Sequence, residues 1–253
     1  MKKPILFVSI IFLLLSCQEI KAKITNNTKN IVIRVDIDSL RVPVLVINKN
    51  NYTSIKNLHF SHSVGGKPIE EETEVQMKYD TEYLYIRFEC RNNPRLEQNY
   101  YTKDNSALFK QEVFEIYISN GEMASENYLE IQLNPNNALF LGKVMHRYKS
   151  DNKHKVKLVN TKKADVIHTV VKNSEKKLWS GYLQIPIKIL QYPKAVSNTT
   201  FRMNLFRIIS NEDRVGKKWK NSATSSTYGC WISTMAKKPQ FHAPEYFGFL
   251  ILD

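Results

Sequence analysis

LFKQEVFEIYIS, residues 108–119, and YLEIQLN, residues 128–134, decide how this chain folds. Side chains in both alternate with a period of two, the period of an extended strand. Phe114, Ile116 and Ile118 point one way in the first, as do Leu129, Ile131 and Leu133 in the second. The other side carries Glu115 and Tyr117, then Tyr128, Glu130, Gln132 and Asn134. If the two stretches pair as a hairpin across NGEMASEN, these polar sides merge into one patch. A buried, unpaired carboxylate is costly. Glu115 is therefore either satisfied inside the protein or kept for a ligand.

The same alternation runs through the rest of the chain. From Ile31 the text is IVIRVDI, PVLVI, EVQMKY, YLYIRFEC, then ALFLGKV, VIHTVVK, LWSGYLQI, FRMNLFRII and YFGFLIL. Between them stand the turn-forming GG at 65–66, NPNN at 134–137, NSEKK at 173–177 and SNTT at 197–200. No stretch offers a long apolar stripe of helical period. The pattern predicts one all-β domain over residues 31–253, an antiparallel sandwich or barrel.

Residues 1–17 read as an export signal. Lys2 and Lys3 precede an apolar run over 5–15, too short to span a bilayer and of signal-peptide length. The run ends in Leu14-Leu15-Ser16-Cys17, similar to the lipobox of bacterial lipoproteins, in which Cys17 would carry the lipid anchor. Gln18 after the cysteine favours the outer membrane by the same resemblance. Residues 18–30 are polar and aperiodic, a tether.

The formal charge is +13, concentrated between Lys143 and Lys163, where eight cationic residues face Asp151 alone. An exported protein has little access to nucleic acid, so this run is a solvated surface or an attraction for acidic polysaccharide or anionic lipid. Cys90 continues a strand's alternation as a small buried thiol; a disulfide with Cys230 is the alternative for an exported chain.

Carboxylate, amide and aromatic side chains on one sheet face suit sugar hydroxyls and ring faces; the pattern is also that of an ordinary solvated face. Glu115 with Glu130 invites a glycosidase reading, yet residues on adjoining strands of one sheet face the same way rather than across a cleft. His59 and His62 form H-x-x-H without a third ligand nearby.

Five segments in order carry a family resemblance. VQMKYDTEYLYIRFEC (75–90) is similar to the hydrophobic–Tyr–Asp–x–x–x–Leu–Tyr hairpin of family 9 carbohydrate-binding modules and their DOMON-like relatives. LFKQEVFEIYIS resembles their D-x-VEIFI strand, and LWSGYLQIPIKIL (178–190) their gW-x-x-E-x-x-IP element. FRMNLFRI (201–208) matches N-x-x-R, and FHAPEYFGFLILD (241–253) the terminal P-x-x-FG-x-L strand.

The resemblance implies a β-sandwich of two antiparallel sheets, of jelly-roll or immunoglobulin-like architecture, and non-catalytic binding of an oligo- or polysaccharide. It puts Phe109 and Phe241 where the family has two sugar-clamping tryptophans, and Glu115 on its hydroxyl-binding carboxylate. Gln132 falls on a polar contact, Asn204 and Arg207 on N-x-x-R, and Trp231 near the last motif. Tyr182 replaces the family's Glu. Calcium, present in some members, is traceable to no residue set here. Some members are joined to glycosidases, and some DOMON-like relatives bind haem through Met and His. Met77, Met203, His168 and His242 are available, but nothing selects a pair. The expectation is an envelope-anchored glycan binder serving a saccharide-uptake or glycosidase system. A hydrolytic module, a haem binder and a structural envelope protein are the alternatives.

Overall fold

A computed structural model describes residues 42–55, 60–146, 154–194, 197–216 and 225–253. The signal segment with Cys17, the tether and the expected strand at 31–37 lie outside the described residues. In chain order the strands are β1 (Val44–Ile47), β2 (Thr53–Ser54), β3 (Ser61–His62), β4 (Thr73–Tyr79) and β5 (Tyr83–Cys90). Next come β6 (Val113–Asn120), β7 (Asn127–Leu133), β8 (Leu139–His146), β9 (His154–Leu158) and β10 (Ile167–Asn173). The last four are β11 (Leu178–Pro186), β12 (Thr200–Ser210), β13 (Ser226–Cys230) and β14 (Gly248–Leu252). Two single-turn helices, α1 (Thr161–Ala164) and α2 (Ile187–Leu190), sit beside β9 and β11 in sequence.

Among the described residues these strands form two sheets. The smaller runs β10-β11-β5-β4-β2; the larger runs β1-β14-β12-β6-β7-β8-β9, with β13 and β3 added beyond β12. The fold is the expected β-sandwich, with one departure: β1 pairs with β14 in parallel, while the other ladders are antiparallel. β9 and β13 were not expected as strands. The turn residues act as their chemistry dictates. Asp80 Oδ1 accepts from the amides of Glu82 and Tyr83, Asn134 Oδ1 from those of Asn136 and Ala138, and Ser197 Oγ from those of Thr199 and Thr200.

The inner core lies between the sheets. Phe88 of the smaller sheet stacks on Phe114 of the larger at 4.0 Å, and Trp179 meets Phe88 edge-on at 5.0 Å. Gly181 makes room for this: a Cβ there would lie 2.2 Å from the Phe88 ring. A polar clamp crosses the core. Arg207 Nε donates to Glu112 Oε1 at 2.9 Å, and its terminal nitrogens donate to the carbonyls of Glu72 and Arg91 at 2.9 and 2.8 Å. Trp179 Nε1 and Asn93 Nδ2 donate to the same Glu112 carboxylate. The clamp joins β12 to the ends of β4 and β5, holding one sheet against the other.

Cys90 lies in this core and Cys230 in a second apolar cluster; both are free thiols, so the open alternative of a disulfide is not realised. Burial pushes the Cys90 thiol up to about 12.

That second cluster occupies the opposite, outer face of the larger sheet. Tyr117, Tyr128, Phe206 and Ile208 are covered there by Leu108, Phe241 and Phe247. The face that alternation left open to solvent is instead roofed, and a cavity lies within the roof.

Candidate functional site

β6 and β7 pair in the anticipated register, with Glu115 opposite Gln132 and Tyr117 opposite Glu130. β12 flanks β6 on its other side, setting Phe206 beside Glu115 and Asn204 beside Tyr117. Over this floor lies a cavity of about 450 Å3. Glu115, Tyr117 and Ile208 line it from the sheet, and Phe109 and Lys110 from the turn before β6. His154 of β9, Tyr228 of β13 and the loop Pro239–His242 complete it.

The walls are aromatic. Phe241 stacks on Phe206 at 4.3 Å and meets Tyr228 edge-on at 5.7 Å. Phe109 is 42% exposed. His242 is bonded to the Tyr128 hydroxyl through Nδ1 at 2.6 Å, and its ring stacks on His154 at 3.6 Å.

The floor holds an unusual carboxylate. Glu115 is fully buried, and neither of its oxygens takes a hydrogen bond. The Tyr117 hydroxyl beside it is directed at Glu130 Oε1, 3.3 Å away, and Gln132 donates its amide to the same oxygen. Burial, reinforced by the Glu130 charge and opposed by the neighbouring Tyr117 hydroxyl, raises the Glu115 carboxyl well above the usual range. Glu130 is raised by burial to about 7, against the bonds from Gln132 and Tyr117. The charged form of Glu115 is thereby disfavoured, and its two oxygens are closed off from solvent as well as unpartnered.

A carboxyl group walled by aromatic rings combines a polar floor with apolar ring faces. The sequence profile described as carbohydrate-binding family 9 matches residues 41–252.

The chain belongs to carbohydrate-binding family 9.

Its relatives are distant. An extracellular protein of Arthroderma benhamiae is 24% identical over 203 residues, 75% of this chain and 82% of its own length. A protein from Bacteroides uniformis assigned to carbohydrate binding superposes with a TM-score of 0.59 at 13% identity, covering 83% of this chain and 99% of the other. A family 9 module from Caldicellulosiruptor kristjanssonii, solved with glucose, gives 0.49 at 12% identity, over 83% and 96%.

The residues that the family resemblance marks divide sharply. Phe109, Glu115 and Phe241 line the cavity together. Gln132 is buried next to Glu115 and holds Glu130 instead of lining the cavity. Asn204 is on the cavity's face of the sheet, but its side chain is committed to the backbone: Nδ2 donates to the Ile232 carbonyl at 2.8 Å, and Oδ1 accepts from the Ile232 amide at 3.0 Å. It fastens the segment that follows β13. Arg207 points to the inner core and is spent on the clamp. Strand parity demands this, since residues three apart on a strand face opposite sides. Trp231 packs against the inner core and does not line the cavity.

Lys110, His154, Tyr228 and Gln240 line the cavity and were not anticipated. His154 had a legible signal, the alternation of His154, Val156 and Leu158 with two lysines, hidden within the basic run. Among the described residues no group of three or more His, Cys, Asp or Glu is placed to hold a metal ion. His59 of the H-x-x-H lies outside the described residues. Of the haem candidates, Met77 and Met203 pack in the inner core, His168 bonds Asn137, and His242 lines the outer-face cavity.

Proposed function

We propose that the protein is a non-catalytic carbohydrate binder that holds a glycan in the outer-face cavity, between Phe109 and Phe241 and above Glu115. The observation that carries this reading is the Glu115 carboxyl, fully buried at the cavity floor and without a hydrogen-bond partner. A buried polar group left unpaired costs about 1–3 kcal/mol, and sugar hydroxyls donating to it recover that cost on binding. A ring face buried on Phe109 adds about 2.5 kcal/mol, from roughly 100 Å2 at ~25 cal/mol per Å2. Association costs offset much of this, which puts affinity in the micromolar to millimolar range.

The same geometry supports the non-catalytic reading. A glycosidase sets two carboxyl groups on either side of the scissile bond. Among the described residues lining the cavity, Glu115 is the sole carboxylate, and Glu130 is engaged by Gln132 and Tyr117. The lipobox-like run ending at Cys17 supports an anchored envelope protein, presented at the outer membrane and serving saccharide capture.

Affinity electrophoresis of the full chain through gels containing neutral polysaccharides tests the reading, with released reducing sugar measured in parallel. Retardation without release supports it. Release of reducing ends means that the protein is a hydrolase, and migration unchanged in every gel means that the cavity serves another ligand.

A further inference from the structure

A second cavity, of about 590 Å3, opens from the inner face of the larger sheet near α1 and α2. Leu129 and Leu141 form part of its floor, Tyr192 one wall, and Lys143, Lys163, Lys188 and Lys194 its rim. Leu129 and Leu141 belong to the inner core, whereas Glu115 and Tyr117 line the other face, so the two cavities lie on opposite sides of one sheet. We propose that this lysine-rimmed cavity is a second binding site, for a glycan bearing carboxylate or sulfate groups.

Three observations support it. Four ammonium groups surround one recess, and among the described residues the carboxylate paired with them is Asp165, 3.0 Å from Lys188. The potential of such a cluster favours anions and concentrates them at the opening. Lys143 is moreover set directly opposite Lys157 in the β8–β9 ladder. Like charges opposed across strands destabilise a sheet, and an anion held by Lys143 at the cavity relieves that repulsion, although Lys157 itself does not line the recess.

The recess offers apolar lining as well as charge. Lys143 Nζ sits over the Tyr192 ring, 4.8 Å from its centre, which holds the ammonium group at the recess, and Val159 and Ile189 line the same space. A uronate or sulfated sugar offers the matching pair, an acidic substituent on a ring with an apolar C–H face. A planar anionic membrane fits poorly, because Leu129 and Leu141 are at most 1% exposed and lie below the rim.

The inference shares sugar chemistry with the outer-face reading but not its residues, and the test keeps them apart. Calorimetric titration of the full chain uses an oligogalacturonate, its neutral methyl ester and a heparin oligosaccharide. It compares Lys143→Gln/Lys188→Gln with Lys67→Gln/Lys176→Gln, two exposed lysines away from the cavity, and with Phe109→Ala. We expect saturable binding of at least one acidic probe and none of the ester at this site. Binding should weaken about tenfold or more in the cavity pair, stay within twofold or so in the distant pair and in Phe109→Ala, and fall as salt approaches about 0.15 M. Which acidic probe binds tells carboxylate from sulfate. Equal losses in both lysine pairs would reduce the effect to overall charge. Loss in Phe109→Ala would assign the acid to the outer cavity. Tighter binding to phosphatidylglycerol vesicles or a single-stranded oligonucleotide, or no binding of either acidic probe, would overturn the proposal.

Discussion

Glu115 and Gln132 sit directly opposite each other across the β6–β7 ladder, yet the Gln132 amide turns to Glu130 and leaves the Glu115 carboxyl without a hydrogen bond. Cross-strand neighbours of these types normally satisfy one another. Here Glu130 is held, and Glu115, without a bond, lines the cavity.

The two phenylalanines of the cavity should behave differently. Phe109 is 42% exposed, so Phe109→Ala should weaken sugar binding by up to about 2.5 kcal/mol and lower stability by less than Phe241→Ala does. Phe241 is 6% exposed and stacked on Phe206. Phe241→Ala should lower stability by about 3 kcal/mol as well as weakening binding. Denaturant unfolding alongside titration separates the two effects.

Arg207 should act on stability. Arg207→Met strands the buried Glu112 carboxylate and should cost about 3–5 kcal/mol in denaturant unfolding. Adding Glu112→Gln removes the stranded charge and should recover a large part of that loss. If Arg207→Met keeps full stability and abolishes sugar binding, the clamp assignment is wrong.

Stability should fall as pH rises through the carboxylate range. A raised native pKa means that the folded protein holds a proton that the unfolded chain has released, so stability declines from about pH 4.5 to the native value. For Glu130, raised to about 7, the loss is on the order of 3 kcal/mol. Glu130→Gln should flatten part of this slope and make the protein more stable than wild type at pH 8. Thermal unfolding across the pH range checks it; an unchanged slope in the variant would refute the assignment to Glu130.

The strands that alternate cleanly were readable, because Phe114, Ile116 and Ile118 against Glu115 and Tyr117 is a local pattern. The roof over that face was not. It is supplied by Phe241 and Phe247, more than a hundred residues away in the chain, and short-range periodicity says nothing about such contacts. Arg207 was misplaced for a simpler reason. Asn204 and Arg207 were carried over as a pair, although a spacing of three on a strand cannot put both on one face. Lys110, His154 and Gln240 come from a turn, an edge strand hidden in a charge run, and a loop, so only the folded chain brings them together.

The central claim is that the Glu115 carboxyl exists to receive sugar hydroxyls, and calorimetric titration of Glu115→Leu with the neutral oligosaccharide that the wild type binds best tests it most directly. Leucine fills similar space without an acceptor. It removes an unsatisfied buried group, so the variant should unfold at the same or higher denaturant concentration while binding sugar about 1.5–3 kcal/mol more weakly. A Glu115→Leu protein that binds the sugar as tightly as wild type would contradict the account.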